Sequence, residues 1–397
     1  MKIEFSNRLK DMSGSAIREI FKYAANPEVI SLAGGNPAPE LFPAKEFGEI
    51  AAEILEKQPV LALQYGITEG YIPLREAIKE RLARVENIKN DNDELIVVSG
   101  GQQGIELTTK ALVNEGDTVI VEQPSFIGAT NAFRSYGAHL VGVPVEDDGM
   151  NMDALDAALN ENKNVKFIYT IPTFQNPTGV TMSLEKRARL YEVAKKHGVF
   201  ILEDNPYGDL TFDGVRMPTL KSMDTDSIVI YSGSFSKVLA PGLRLGFLMA
   251  DKALIQKVVI AKQVSDVHTA MLPQLIATEY LKRYDLDAAI VKMRENYSHK
   301  CSAMLSAMKE YFPSDVKYTA PRGGLFIWCD LGHGIDTLAL SKKAIEKNVV
   351  YVPGNTFMVD MSLPCSALRL NYSTVSDERI VEGIKRLGDV FAKELNK

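Results

Sequence analysis

The sequence predicts an α/β fold: a large domain built on a mostly parallel, seven-stranded sheet flanked by helices, followed by a smaller α+β domain. Between about residues 43 and 285, helical patterns alternate with short apolar segments, which is the pattern that successive βαβ units produce. Several of these segments end in polar residues, at the strand ends where a parallel sheet binds its ligands. The seven predicted strands are residues 94–98, 118–121, 139–143, 165–170, 199–202, 228–231 and 245–249.

The length of 397 residues exceeds that of one ordinary hydrophobic core, so we expect more than one lobe. We divide the chain into an N-terminal arm (1–42) that contributes to the small domain and the substrate entrance, a large domain (43–285) and a small C-terminal domain (286–397). Apolar residues at helical spacing over 286–310 predict a long helix that joins the two lobes.

The composition excludes several classes of protein. The formal net charge is −6 and the sequence pI is about 5.6, and the basic residues do not cluster, so we expect no nucleic-acid partner. No segment approaches the roughly 20 apolar residues that cross a bilayer, so we expect no membrane association. The three cysteines lack Cys-x-x-Cys spacing and the histidines lack a His-Glu-x-x-His motif, which disfavours a disulfide framework or a metal site. A reducing, cytoplasmic location fits this composition best.

The first predicted strand leads into a candidate phosphate-binding turn. Residues 94–98 run into Ser99-Gly100-Gly101-Gln102 and then into an amphipathic helix. Glycines let the backbone approach an anion, and the free N–H groups of the first helical turn attract it, so the amides of Gly101 and Gln102 are candidate ligands. A dinucleotide-binding turn is the rival interpretation, with Glu122 closing the next strand, but its Gly-x-Gly-x-x-Gly pattern would require glycine in place of Ser99.

Aromatic and amide side chains follow the next strands. Phe126, after residues 118–121, can stack on a planar ring, although an aromatic residue at this place also suits core packing. The strand at residues 165–170 leads into a segment that carries Asn176, whose amide can reach a ring oxygen or a substrate carboxylate. Taken singly, an asparagine beside proline and glycine is common turn chemistry.

A carboxylate and a phenol follow the strand at residues 199–202. Asp204 stands at the end of this strand, and Tyr207 follows three residues later. An aspartate in such a place can pair with a pyridine nitrogen and keep it protonated, which lets the ring accept electrons. The Tyr207 phenol can donate a proton to an oxygen on the same ring.

The strand at residues 228–231 leads into Ser-Gly-Ser-Phe-Ser-Lys, which ends at Lys237. A lysine among hydroxyls (Ser234 and Ser236) and followed by Arg244 suits an aldehyde that carries a phosphate, and pyridoxal 5'-phosphate is such an aldehyde. Burial near other cations lowers the pKa of a lysine, which supplies the neutral amine that Schiff-base chemistry needs. A Ser-x-x-Lys hydrolase is the rival interpretation, but no Lys-Thr-Gly follows.

Five segments in this order resemble the fold-type I aminotransferases, and within them the branch that contains 2-aminoadipate (lysine-pathway) and kynurenine aminotransferases. The resemblance covers essentially the whole chain. The segments are residues 31–43, 63–71, 176–179, 233–237 and 368–372.

The resemblance implies a role for each candidate residue. Lys237 would be the Schiff-base lysine, Asp204 the pyridinium partner, and Tyr207 with Asn176 the ligands of the ring's 3-oxygen. The phosphate would be held by Gly101, Gln102, Ser234, Ser236 and Arg244, with Phe126 stacking on the ring where the family usually has tyrosine.

The resemblance also implies substrate and subunit contacts. Arg369 would bind the substrate's α-carboxylate, with Asn176 beside it, and Arg18 would meet a distal carboxylate. Gly35 would leave room for a long or aromatic side chain. Tyr65 would reach the cofactor phosphate of a neighbouring subunit, which implies a homodimer with shared active sites.

The function implied is pyridoxal-phosphate-dependent transfer of an amino group between an L-amino acid and a 2-oxo acid, with 2-oxoglutarate as the expected acceptor and ping-pong kinetics. The donor is open among 2-aminoadipate, aromatic and branched or aliphatic amino acids. Two alternatives use the same residues: lyase or decarboxylase chemistry, and the non-enzymatic ligand-sensing domain of a transcription regulator.

Overall fold

The computed structural model describes residues 3–6, 8–10, 23, 26–89 and 91–396. The helices are α1 (Ala44–Lys57), α2 (Pro59–Leu63), α3 (Ile72–Val85), α4 (Gly101–Leu112), α5 (Ile127–Ser135), α6 (Met152–Glu161), α7 (Leu184–His197), α8 (Leu220–Met223), α9 (Lys252–Gln263), α10 (Met271–Arg283), α11 (Leu286–Tyr311), α12 (Thr337–Glu346) and α13 (Asp377–Leu395). The strands are β1 (Ile30–Ser31), β2 (Asp93–Val98), β3 (Thr118–Gln123), β4 (His139–Glu146), β5 (Gly149–Met150), β6 (Val165–Thr170), β7 (Phe200–Asp204), β8 (Val229–Ser234), β9 (Gly246–Asp251), β10 (Lys317–Tyr318), β11 (Phe326–Asp330), β12 (Val349–Val350), β13 (Val352–Pro353) and β14 (Ala367–Asn371).

The large sheet has the strand order β2-β9-β8-β7-β6-β3-β4-β5. All seven predicted strands belong to it, and the two-residue strand β5 is an addition that the apolar pattern did not indicate. The pairs from β8 through β4 are parallel, whereas β9 is antiparallel to both β2 and β8. The parallel strands therefore point their carboxyl ends to one edge, where β6, β7 and β8 deliver the polar residues singled out in the sequence.

Burial on both faces explains why the strands of this sheet read as continuous apolar runs. In β2, for example, Leu95, Ile96, Val97 and Val98 are all fully buried. Helices cover both faces of a sheet built from parallel crossovers, so neither face is left for water.

The predicted long helix is α11, which spans 26 residues. Beyond it, β10, β11, β14 and β13 form an antiparallel sheet in that order. From the N-terminal region, β1 pairs in parallel with β12. The three-region division of the chain stays a prediction.

Two features are absent from the residues that the structure describes. No helix among them is long and apolar enough to cross a membrane. In the same part of the chain, no group of three or more His, Cys, Asp or Glu side chains could hold a metal ion.

Candidate active site

A cavity of about 260 Å³ lies at the carboxyl ends of the parallel strands and brings twelve of the fourteen predicted site residues together. These twelve are Gly35, Gly101, Gln102, Phe126, Asn176, Asp204, Tyr207, Ser234, Ser236, Lys237, Arg244 and Arg369. They come from segments that are far apart in sequence. In the large domain the return of the parallel strands to one sheet edge gathers them, whereas the N-terminal region contributes Gly35 and β14 contributes Arg369.

Five further residues line the cavity without having been predicted: Asn36, Ile105, Ile171, Pro206 and Phe326. Asn36 and Pro206 adjoin predicted residues, so proximity alone could have indicated them. Ile105 and Ile171 read as core positions, and nothing in the pattern separates them from other buried isoleucines. Phe326 begins β11, at a distance from every motif in the large domain.

Lys237 is positioned just beyond the end of β8, where its ammonium nitrogen donates to the carbonyl of Gly35 at 2.6 Å. Burial lowers the pKa of Lys237 to about 8, and the nearby charges of Arg369 and Arg244 act in the same direction. A substantial fraction of this amine is therefore neutral near physiological pH, as its predicted role requires.

Asp204 ends β7 and is 5% exposed. Burial raises its pKa to about 6, against the opposing hydrogen bond from Tyr169 and the charge of Lys237. The phenol of Tyr169 donates to Asp204 Oδ2 at 2.8 Å. At neutral pH the carboxyl is thus largely ionised, as a group that pairs with a protonated ring nitrogen must be.

Asn176, Tyr207 and Arg369 form one hydrogen-bonded set. Arg369 Nη1 donates to Asn176 Oδ1 at 2.8 Å, and Asn176 Nδ2 lies 3.5 Å from the Tyr207 hydroxyl. Burial raises the pKa of Tyr207 well above its usual range, so its phenol keeps its proton. The amide of Asn176 thereby links the predicted cofactor oxygen ligand to the predicted substrate arginine.

Arg369 is 4% exposed, in the middle of the antiparallel sheet rather than on an edge. Arg369 faces the side of β14 opposite to Leu368 and Leu370, and all five residues of the strand are buried. Its guanidinium lies 4.3 Å from the centroid of the Phe326 ring and 5.1 Å from that of Phe357. Burial lowers the pKa of Arg369 to about 10, and its Nε has no hydrogen-bond partner among the described residues.

The predicted phosphate turn begins α4, so the amides of Gly101 and Gln102 are among the unpaired N–H groups of its first turn. Arg244 Nη2 donates to the carbonyl of Ser99 at 3.2 Å, which places the guanidinium beside the turn. Gly100 has φ +85°, and a Cβ there would overlap this guanidinium. Glycine is therefore required at position 100 for the arginine to approach.

The charges around the cavity fit a ligand with two anionic groups. Lys237, Arg244 and Arg369 line it together with the single carboxylate Asp204. Within the described ranges none of the three cations forms an ion pair, and for Arg369, which is buried, the lack of a partner is costly. A phosphate at Arg244 and the α4 turn and a carboxylate at Arg369 would neutralise two of them, so these residues fit pyridoxal 5'-phosphate and an amino acid.

The two remaining candidates lie elsewhere. Tyr65 is 81% exposed and does not line the cavity of its own chain, and its ring meets that of His268 edge-on at 5.8 Å. Arg18 lies outside the described residues.

The chain is similar over most of its length to known proteins. The family described as aminotransferase class I and II matches residues 27–387. The chain is 43% identical over 397 residues to aromatic-amino-acid aminotransferase 1 of Thermococcus litoralis, covering 99% of this chain and 95% of that protein. It is 41% identical over 381 residues to the 2-aminoadipate transaminase of Thermus thermophilus, covering 95% and 94%.

A solved structure from Thermus thermophilus shows the same fold with a cofactor derivative. It is the alpha-aminoadipate aminotransferase of Thermus thermophilus complexed with N-(5'-phosphopyridoxyl)-L-leucine, at a TM-score of 0.90 and 38% identity, covering 99% of this chain and 98% of that one. Since the family match spans most of the chain and relatives above 40% identity are aminotransferases, the chain belongs to the class I and II aminotransferases, in the branch of the 2-aminoadipate and kynurenine enzymes, and depends on pyridoxal 5'-phosphate.

Proposed function

We propose that the described cavity is the active site for this amino transfer, with Lys237 as the general base and Arg369 as the ligand of the substrate α-carboxylate. The observation that carries this is that three cations without an ion pair among the described residues, Lys237, Arg244 and Arg369, surround one cavity with the single carboxylate Asp204. The bound cofactor supplies a carbonyl for the substrate amine and a protonated ring that accepts electrons. The amino-transfer activity of the relatives disfavours a lyase, a decarboxylase or a non-enzymatic sensing domain.

Different protein groups then orient the substrate, move its proton and hold the cofactor ring. Arg369 and Asn176 orient the substrate by its carboxylate, which holds its α-proton within reach of the Lys237 amine. Lys237 would remove this proton from the α-carbon of the substrate and deliver it to the carbon of the cofactor that receives it. Tyr207 donates a hydrogen bond to the ring oxygen, and Asp204 holds the proton on the ring nitrogen.

For the substrate we propose a donor site of broad specificity that accepts both an acidic and an apolar side chain. The relatives are named for aromatic amino acids and for 2-aminoadipate, and the solved relative holds a leucine adduct. In this chain the aromatic rings of Phe126 and Phe326 line the cavity. Besides Arg369, the cations among the described lining residues are Lys237 and Arg244. Both already have roles toward the cofactor, so we propose that Arg18 binds the distal carboxylate of an acidic substrate.

This substrate proposal predicts a selective loss in Arg18→Ala. We expect kcat/KM for 2-aminoadipate and glutamate to fall about tenfold or more, because a charge-assisted hydrogen bond is lost, while values for leucine and phenylalanine stay within about twofold. The measurement is a panel of amino donors with 2-oxoglutarate as acceptor. Arg8→Ala removes another arginine of the same arm and serves as the control. Equal losses for acidic and apolar donors would exclude the role of Arg18.

We also propose that a second copy of this chain covers an exposed apolar surface around Tyr65. Val60, Leu63 and Tyr65 are 76%, 73% and 81% exposed. Beside them lies an open apolar cavity of about 700 Å³, lined in part by Ile67 and Met271. An apolar surface of this extent favours an interface, and a tyrosine that is excluded from its own cavity is free to enter that of a partner.

Shared sites predict restoration of activity in mixed dimers. A dimer of Lys237→Ala with Tyr65→Ala contains one site with both native residues, so random exchange should restore about one quarter of the sites. Activity of the two inactive parents is measured before and after mixing, with mass spectrometry to count mixed dimers. Abundant mixed dimers without recovered activity would contradict shared sites.

All three cysteines are free thiols, which supports our further proposal of a cytoplasmic location.

A further inference from the structure

We propose that Tyr169 is a positioning residue for Asp204, and that its hydroxyl keeps this carboxylate ionised and correctly turned toward the cofactor ring. The inference rests on the proposed role of Asp204. It adds to the reaction a residue that the sequence pattern places in the core of a strand.

The contact follows from strand geometry. Tyr169 of β6 is paired in register with Leu202 of the neighbouring parallel strand β7. Since residues two apart share a face of a strand, Asp204 projects on the same face as Leu202, next to Tyr169 along the sheet. The Tyr169 hydroxyl donates to Asp204 Oδ2 at 2.8 Å, and both side chains are buried.

The ring and the hydroxyl of Tyr169 have separable functions. The ring packs edge-on against Phe133 at 5.4 Å, as a phenylalanine would. The hydroxyl makes a hydrogen bond to Asp204, and a buried phenol needs such a partner. Burial raises the pKa of Tyr169 far above its usual range, so it donates and never competes for the proton.

The consequence for Asp204 is electrostatic. Burial favours the neutral carboxyl, and the hydrogen bond from Tyr169 is the largest contribution that opposes this. Without the hydroxyl, a proton shared between Asp204 and a ring nitrogen moves toward Asp204. The ring then loses the charge with which it accepts electrons.

The test is Tyr169→Phe in the holoenzyme, with ¹⁵N NMR of ring-labelled pyridoxal 5'-phosphate as the readout. We expect the ring-nitrogen signal to move toward its unprotonated position and kcat to fall about 10- to 100-fold, with KM nearly unchanged. The acid limb of the kcat/KM profile should shift to higher pH. Tyr191→Phe is the matched control, because Tyr191 is also buried and donates to a carboxylate, Asp226 Oδ2 at 2.7 Å, on another part of the fold.

A double-mutant cycle with Asp204→Asn separates the possible outcomes. If Tyr169 acts through Asp204, adding Tyr169→Phe to Asp204→Asn changes neither the ¹⁵N signal nor the residual single-turnover rate. If the ¹⁵N signal is unchanged in Tyr169→Phe but shifted in Asp204→Asn, the role of Tyr169 is rejected and that of Asp204 stands. If Asp204→Asn also leaves the signal unchanged, the assignment of Asp204 itself fails.

Discussion

Replacing Lys237 with alanine should reduce amino transfer by about four orders of magnitude, since one side chain serves as both the covalent anchor and the general base. Cofactor binding should persist at reduced affinity, because Arg244 and the start of α4 remain to hold the phosphate. Single-turnover kinetics measures the first effect and equilibrium titration of the apoenzyme with pyridoxal 5'-phosphate measures the second.

Lys237→Arg is the matched variant, since it keeps the positive charge but presents a guanidinium that stays protonated. It should be as inactive as Lys237→Ala. The native apoenzyme should take up its cofactor faster as the pH rises toward about 8, the pKa of Lys237, because only the neutral amine reacts. Near-native turnover in either variant would remove Lys237 from the proposed role.

The second large effect is expected for Asp204→Asn, which should lower kcat by about three orders of magnitude while the cofactor still binds. An amide cannot stabilise the positive charge on the ring nitrogen, so the electron acceptor is lost. Single-turnover rates with a saturating amino donor measure this. A kcat within about tenfold of the native value would show that the ring nitrogen has another partner.

The same variant should be more stable than the native chain as apoprotein at neutral pH. Burial raises the pKa of Asp204 from 3.8 to about 6, so the folded state binds this proton more tightly than the unfolded state does. The carboxyl therefore destabilises the fold increasingly as the pH rises from about 4 to about 6. We therefore expect a higher Tm for Asp204→Asn at pH 7, with the difference fading below about pH 4. An equal difference in Tm at pH 7 and below about pH 4 would show that packing, not ionisation, causes it.

The ends of the strands could be predicted from the sequence because local residue patterns indicate where each strand stops. Apolar runs long enough for a strand, followed by a turn with Asn176, Asp204 or Lys237, can be recognised one at a time. The resemblance then assigned roles, and twelve of the named residues do meet at one cavity. The direction of a strand has no such local signal, so the antiparallel placement of β9 followed only from the assembled sheet.

What surrounds a side chain depends on segments that are distant in the sequence. The leucines beside Arg369 in the chain do not indicate what covers its own face of the strand, and packing against Phe326 and Phe357 buries it and lowers its pKa. Tyr169 looked like any aromatic residue of a buried strand until the register of β6 and β7 placed its hydroxyl on Asp204. Residue type and spacing are local properties, so the chemistry of the site could be predicted from the chain. Burial, register and desolvation arise from contacts across the whole fold, so the ionisation of these groups was decided by the tertiary structure.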